Sequence, residues 1–137
     1  MRPEIWDHFN TVEECYEFML AYAAQGRSSD EGSKPSGQIR EFLQRAATAV
    51  AGLAEECSAA VEELCLEPVE KYRPFLAVLD RDARNSLAAI DLVLAQPSIS
   101  SQLVDNLNAS IHLRALLTDL FLVGEVLRSH LASRQIR

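Results

Sequence analysis

Three cysteines and three histidines are the residues of this chain best suited to chemistry, and their spacing argues against it. Cys15, Cys57 and Cys65 are odd in number and contain no Cys-x-x-Cys pair from which to build a zinc site. Cys57 and Cys65 are eight residues apart, about 12 Å along a helix axis and beyond the reach of a disulfide. All three fall within helical periodicity and are expected to be reduced, buried thiols acting as small apolar side chains. His8, His112 and His130 have Ile5, Ala109 and Leu127 three residues before them, so the Glu-x-x-His step of di-metal helical bundles is missing. A haem ligand would have to come from His112, His130 or Met19, without a motif to support it. No metal and no cofactor are therefore expected.

The run Ser110-Ile111-His112-Leu113-Arg114 resembles the dimerisation helix of histidine kinases, which would imply phosphotransfer through His112. Leu113 stands where that family places an acidic residue. Ala115 and Leu116 stand where His-x-x-Lys-Gly phosphotransfer modules have Lys and Gly. Phosphotransfer through His112 is thus a remote alternative, and a surface or boundary position is expected for this residue. Nucleophilic hydrolysis has no Gly-x-Ser-x-Gly elbow, and phosphate binding has no glycine-rich loop among five glycines in all. A ligand-, metal- or cofactor-binding bundle is the main alternative to a non-catalytic protein. Its polar contacts would come from Cys57, Cys65, His112 or the acidic residues.

Those acidic residues, Glu55, Glu56, Glu62, Glu63, Glu67 and Glu70, crowd the C-terminal half of the second predicted helix, where the macrodipole prefers cations. In an up-down bundle this end lies beside the start of helix three and the end of helix four. That arrangement brings Lys71, Arg73, Arg128, Arg134 and Arg137 close, so internal charge matching is expected. A docking surface for a basic partner and a divalent-metal site are the alternatives.

The elements that must position these residues follow from composition and periodicity. The 137 residues are 48% hydrophobic but only 7% aromatic, enough for one core and one domain, 1–137. Leu and Ala fill the apolar positions where a sheet would need β-branched residues, so the class is all-α. Thirteen basic against 20 acidic residues leave a net charge of -7, which repels a phosphate backbone and predicts no nucleic-acid partner. An acidic N-terminus without an apolar stretch does not read as a signal peptide, and the run Leu120 to Val123 is far too short to span a membrane. A cytoplasmic protein is expected.

Along the chain, Ile5, Trp6 and Phe9 form a short turn behind Pro3, with Trp6 as a lid on the core or an anchor for a partner. Asn10 or Thr11, with Glu13 or Glu14, predicts a capping box for a first helix running to about Ala24. Residues 25–37, QGRSSDEGSKPSG, read as a mobile loop. Helix two is expected from about Ser36 to Leu66, with Ile39, Phe42, Leu43, Ala46, Val50, Leu53, Cys57, Val61 and Leu64 on one stripe. Pro68 and Pro74 predict two breaks, so helix three is expected from about Arg73 until Pro97 stops it. From Ser98 to Arg134, apolar residues at steps of mostly three and four predict one long helix of roughly 50 Å, capped by Ser98 or Ser100.

Short connections after Leu66 and Ala95 make neighbours antiparallel. The expected architecture is an antiparallel up-down-up-down four-helix bundle with a short first helix. A first helix too short to cover the last one would leave part of the Leu116 to Leu131 surface open. The expected function is protein–protein association, as a homodimer or an adaptor, through Trp6, Leu116, Leu120, Phe121, Val123, Leu127 and Leu131.

Overall fold

The structure is a computed structural model describing residues 3–31 and 34–136. It contains five helices: α1 (Glu4–Ala24), α2 (Lys34–Glu63), α3 (Val69–Leu94), α4 (Ser101–Ala109) and α5 (Ile111–Ile136). No strand occurs among the described residues, and no described helix is long and apolar enough to cross a membrane. α2 lies between α1 and α3, α4 packs mainly on α1, and α5 packs mainly on α3.

The first helix is not short. α1 starts directly after Pro3 and runs for 21 residues, because Ile5, Phe9 and Val12 continue the stripe that Cys15, Met19 and Tyr22 complete, all of them buried. The predicted capping box is passed over: the Thr11 hydroxyl donates to the Asp7 carbonyl one turn back, at 2.8 Å. α3 likewise begins earlier than Pro74 predicts. It starts at Val69 and carries Pro74 within it, where the ring removes one early hydrogen bond but its fixed φ suits a helix. Burying Tyr72, Phe75 and Leu76 against the core holds that first stretch.

The long closing helix is two helices. Ser110 is extended, with φ -63° and ψ 141°, and separates α4 from α5. The reason lies in the apolar phase: Val104 and Leu107 are buried on α4, but the next buried apolar residue is Leu113, and Ile111 between them is 76% exposed. A straight helix could not turn both sets to the core. The break lets α4 serve α1 and α5 serve α3. Ser100 caps α4 as expected, its hydroxyl accepting from Leu103 N–H at 3.0 Å.

Cys65 ends α2 in the left-handed conformation, φ 52°, with Cys65 N–H donating to the Glu62 carbonyl and Leu66 N–H to the Val61 carbonyl, both at 3.1 Å. This is a Schellman termination, at a position that favours glycine. It also leaves Cys65 exposed, contrary to the expectation of three buried thiols. Cys65→Gly is expected to stabilise the protein by about 1 kcal/mol by relieving the Cβ clash, an increment readable in urea titrations.

The connection expected to be a mobile loop over 25–37 is anchored in its described part, and the helix after it starts at Lys34; residues 32 and 33 lie outside the described residues. Asp30, 7% exposed, accepts from Arg40 Nε at 2.6 Å and from Ile99 N–H at 2.7 Å. Arg40 also donates to the Gln96 carbonyl at 2.9 Å, near the end of α3. Ser101 Oγ donates to the Tyr22 carbonyl at 2.7 Å and accepts from Arg27 N–H at 2.8 Å, while Tyr22 Oη donates to the Ile99 carbonyl at 2.6 Å. These bonds tie the α1–α2 and α3–α4 connections into one buried polar knot. Burial alone would push the Asp30 carboxyl up, but Arg40 and the Ile99 N–H hold it below its ordinary value.

The core has two parts. One is built on Ile5, Phe9, Leu53, Leu79, Leu116 and Leu120, the other on Met19, Tyr22, Leu43, Ile90, Val104 and Leu113. Ser86 falls on α3 between Ala83 of the first and Ile90 of the second, and its buried hydroxyl has no partner among the described residues.

Candidate interaction surface

α5 is apolar on more than its core side. Leu113, Leu116, Leu117, Leu120, Val123 and Leu127 are buried, yet Phe121 is 57% and Leu122 56% exposed, with Ile111 and Val126 also outside. Among the described residues, Leu20 on α1 is the one large exposed apolar side chain that does not lie on α3 or α5; Val69, Val78 and Leu92 stand on α3. A helix whose apolar residues extend past its core stripe has more surface to cover than its own neighbours provide.

Pro68, Tyr72 and Phe75 from the start of α3 meet Leu122, Val123 and Val126 of α5 in a shallow groove of about 340 Å³, with Lys71 on its rim. Successive turns place these residues. On α3, Lys71, Phe75, Val78 and Asp82 follow one another at steps of four, three and four, which keeps them on one face. On α5, Leu122 and Val126 are four apart and flank the same seam. The groove is almost wholly apolar, with Lys71 the one charged residue in its lining.

Further along α3, beyond the residues that line the groove, Asp82 meets Asp119 of α5. Asp119 is 6% exposed and its carboxyl hydrogen-bonds that of Asp82, while Oδ2 has no partner among the described residues. Burial first, then the hydrogen bond to Asp82 and its negative charge, push the Asp119 carboxyl up to about 7. Two carboxyls in contact share a proton, and Asp82 is the charged group that acts on Asp119. Asn108, at the end of α4, is 6% exposed with its amide unpartnered among the described residues, next to the Ser110 break.

The expected interface residues divide sharply. Leu116, Leu120, Val123 and Leu127 are core residues and offer no free surface, while Leu131 packs half-buried against the core. Trp6 is half-buried, edge-on to Phe9 with centroids 5.5 Å apart, and Arg128 lies 4.7 Å over its ring. It closes one end of the core. Phe121 alone of the seven is widely exposed. Gly124 lets α1 approach: a Cβ there would stand 3.4 Å from Phe9. The α1 side of α5 is therefore covered, and the open side faces outward beside α3. Leu122, Val126, Tyr72, Phe75 and Val78 are not legible as a surface in the sequence, because the seam joining them is long-range. The one local signal is that Leu122 and Val126 extend the apolar residues of α5 beyond its core stripe.

Two of the basic residues expected to match the glutamates of α2 have other partners. Arg134 donates to the Leu64 carbonyl at 2.8 Å, so the basic end of α5 meets the unsatisfied end of α2 by a carbonyl rather than a carboxylate. Arg128 goes to Trp6, and Arg137 lies outside the described residues. Glu56 accepts from or donates to His8 Nδ1 at 2.7 Å according to the proton's position. Glu4, Glu55, Glu56 and Glu63 line a groove of about 720 Å³ between α1 and α2, which concentrates acid on the other flank of α2 from α3. No three His, Cys, Asp or Glu side chains among the described residues are grouped to hold a metal ion. Cys15 and Cys57 are buried, and desolvation pushes both thiols up to about 12, far from a nucleophile's range. His112 is half-buried at the start of α5.

These features describe an all-α protein with an open apolar groove. Comparison with protein-family models, with curated proteins and with solved structures gives no match.

Proposed function

We propose that this is a non-catalytic helical-bundle protein acting by protein–protein association, with the α3/α5 groove as its contact surface. Its helices are read as four rods running up, down, up and down, with α4 and α5 as one broken rod. The observation that carries the reading is the open apolar groove floored by Tyr72, Phe75, Leu122 and Val126, of which Leu122 and Val126 are exposed. Surfaces of this kind gain most from being covered by a protein face. The net charge of -7 speaks against a nucleic-acid partner, and buried free thiols fit a reducing, cytoplasmic setting.

Leu122→Arg tests this, because a half-exposed surface position accepts arginine without disturbing the core. Wild-type and variant proteins are compared by light scattering and by affinity capture, with circular dichroism as the folding control. Wild type is expected to hold a partner, itself or another protein, and Leu122→Arg to weaken that association at least about thirtyfold. Identical mass and identical captured proteins for the two would exclude the groove as an association site.

A further inference from the structure

The α3 stripe along the groove has a charge pattern that selects its occupant. Lys71 and Asp82 stand at opposite ends of one stripe of α3, eleven residues and about 16 Å apart, with Phe75 and Val78 between them. Lys71 is exposed and forms no ion pair among the described residues. Asp82 is partly exposed, forms no ion pair among the described residues, and has another carboxyl, Asp119, as its neighbour. The stripe reads cation, apolar, apolar, anion. Turned end to end about a two-fold axis across the helices, it complements itself: each Lys71 faces the other copy's Asp82, and each Phe75 faces the other copy's Val78.

We propose that the partner in the α3/α5 groove is a second copy of this chain, packed with α3 antiparallel to α3 and α5 antiparallel to α5. The inference rests on the groove being the association surface. The same axis that opposes the two α3 stripes sets Leu122 and Val126 of the two α5 helices against each other, so the apolar side chains on both helices are covered in one step. Of the acidic residues behind the net charge of -7, those of the α1/α2 groove lie away from the stripe, while Glu67 and Glu70 are exposed near Lys71 in sequence. The contact is short along the helices, so the dimer belongs among small interfaces of micromolar strength.

Lys71→Glu gives a chain with acid at both ends of the stripe, and Asp82→Lys gives one with a lysine at both ends, the second beside Asp119. Neither substitution touches the apolar core, and thermal melts confirm folding. In sedimentation equilibrium across the micromolar range, wild type is expected to approach twice its 15.2 kDa chain mass. Each variant alone is expected to dimerise at least about tenfold more weakly, and the two mixed in equal amounts to recover a one-to-one heterodimer. A monomeric wild type, a dimer indifferent to Lys71→Glu, or a mixture that fails to pair would each overturn the inference. A monomeric wild type that still loses a captured protein on Leu122→Arg would overturn the second-copy partner and leave the association reading standing. A Leu122→Arg chain indistinguishable from wild type would overturn both.

Discussion

Asp30→Ala is expected to lower the unfolding free energy by about 3 kcal/mol, a large share of the marginal stability of a domain this size. The carboxylate serves Arg40 and the Ile99 N–H at once, and both donors are left without it in a poorly hydrated place. Its removal also unties the α1–α2 connection from the end of α3, where Arg40 reaches the Gln96 carbonyl. Asp30→Asn keeps an acceptor for Ile99 and gives up the charge, so it should cost about half as much. Urea titrations of the three proteins provide the comparison. The Asp30 carboxyl is held below its ordinary 3.8, so its contribution is present above that value and is lost as pH falls through the lower folded value. Acid unfolding of wild type should therefore contain a component that Asp30→Ala lacks.

Asp119→Asn is expected to act in the opposite direction. The folded protein holds a proton on the Asp82–Asp119 pair up to about pH 7, where an unfolded aspartate has already lost it. A carboxyl raised in this way favours the fold below the ordinary 3.8, and that advantage is lost as pH rises through about 7. Carrying a carboxyl from 3.8 to about 7 amounts to roughly 4 kcal/mol at full strength. Asp82 is partly solvated and α3 and α5 can relax around the pair, so about 1–2 kcal/mol is expected. Asparagine retains the shape and a donor toward Asp82 but no charge. Asp119→Asn should then be more stable than wild type by that amount at pH 8 and within about 0.5 kcal/mol of it at pH 5. Denaturant titrations at both pH values give the result, and equal differences at pH 5 and pH 8 would contradict a shared proton.

Much of the fold is legible in the amino-acid sequence. The stripe of helix two, from Ile39 to Leu64, is buried almost residue for residue as its spacing predicts, with Phe42 the half-buried exception. Ser100 caps the helix that its position predicts. Where expectation and fold part, a local signal is overruled by contacts from elsewhere. The capping pattern at Asn10 to Glu14 is genuine as sequence, but burying Ile5 and Phe9 in the same helix is worth more than a cap. Pro74 looks like a break because the sequence does not show that Tyr72 and Phe75 are pinned on both sides of it.

The candidate site is less legible. Leu116 to Leu131 is rich in apolar residues, as its sequence shows, yet most of these residues are core. The α1 side of α5 is closed by Phe9, which packs beside Gly124. The pairing of Asp82 with Asp119, and of Phe75 with Leu122, joins residues some forty positions apart, and no periodicity encodes that register.

What the chain determined by itself is therefore helical: an all-α fold, and the stripe of helix two that turns inward. Those properties depend on neighbours three and four residues away, within one helix. What tertiary structure alone decided is how the helices meet: the break at Ser110, the knot around Asp30, the shared proton of two aspartates, and an apolar groove between α3 and α5. These depend on crossing geometry and register between helices, where a shift of one residue turns a side chain about 100° around the axis and changes what it faces.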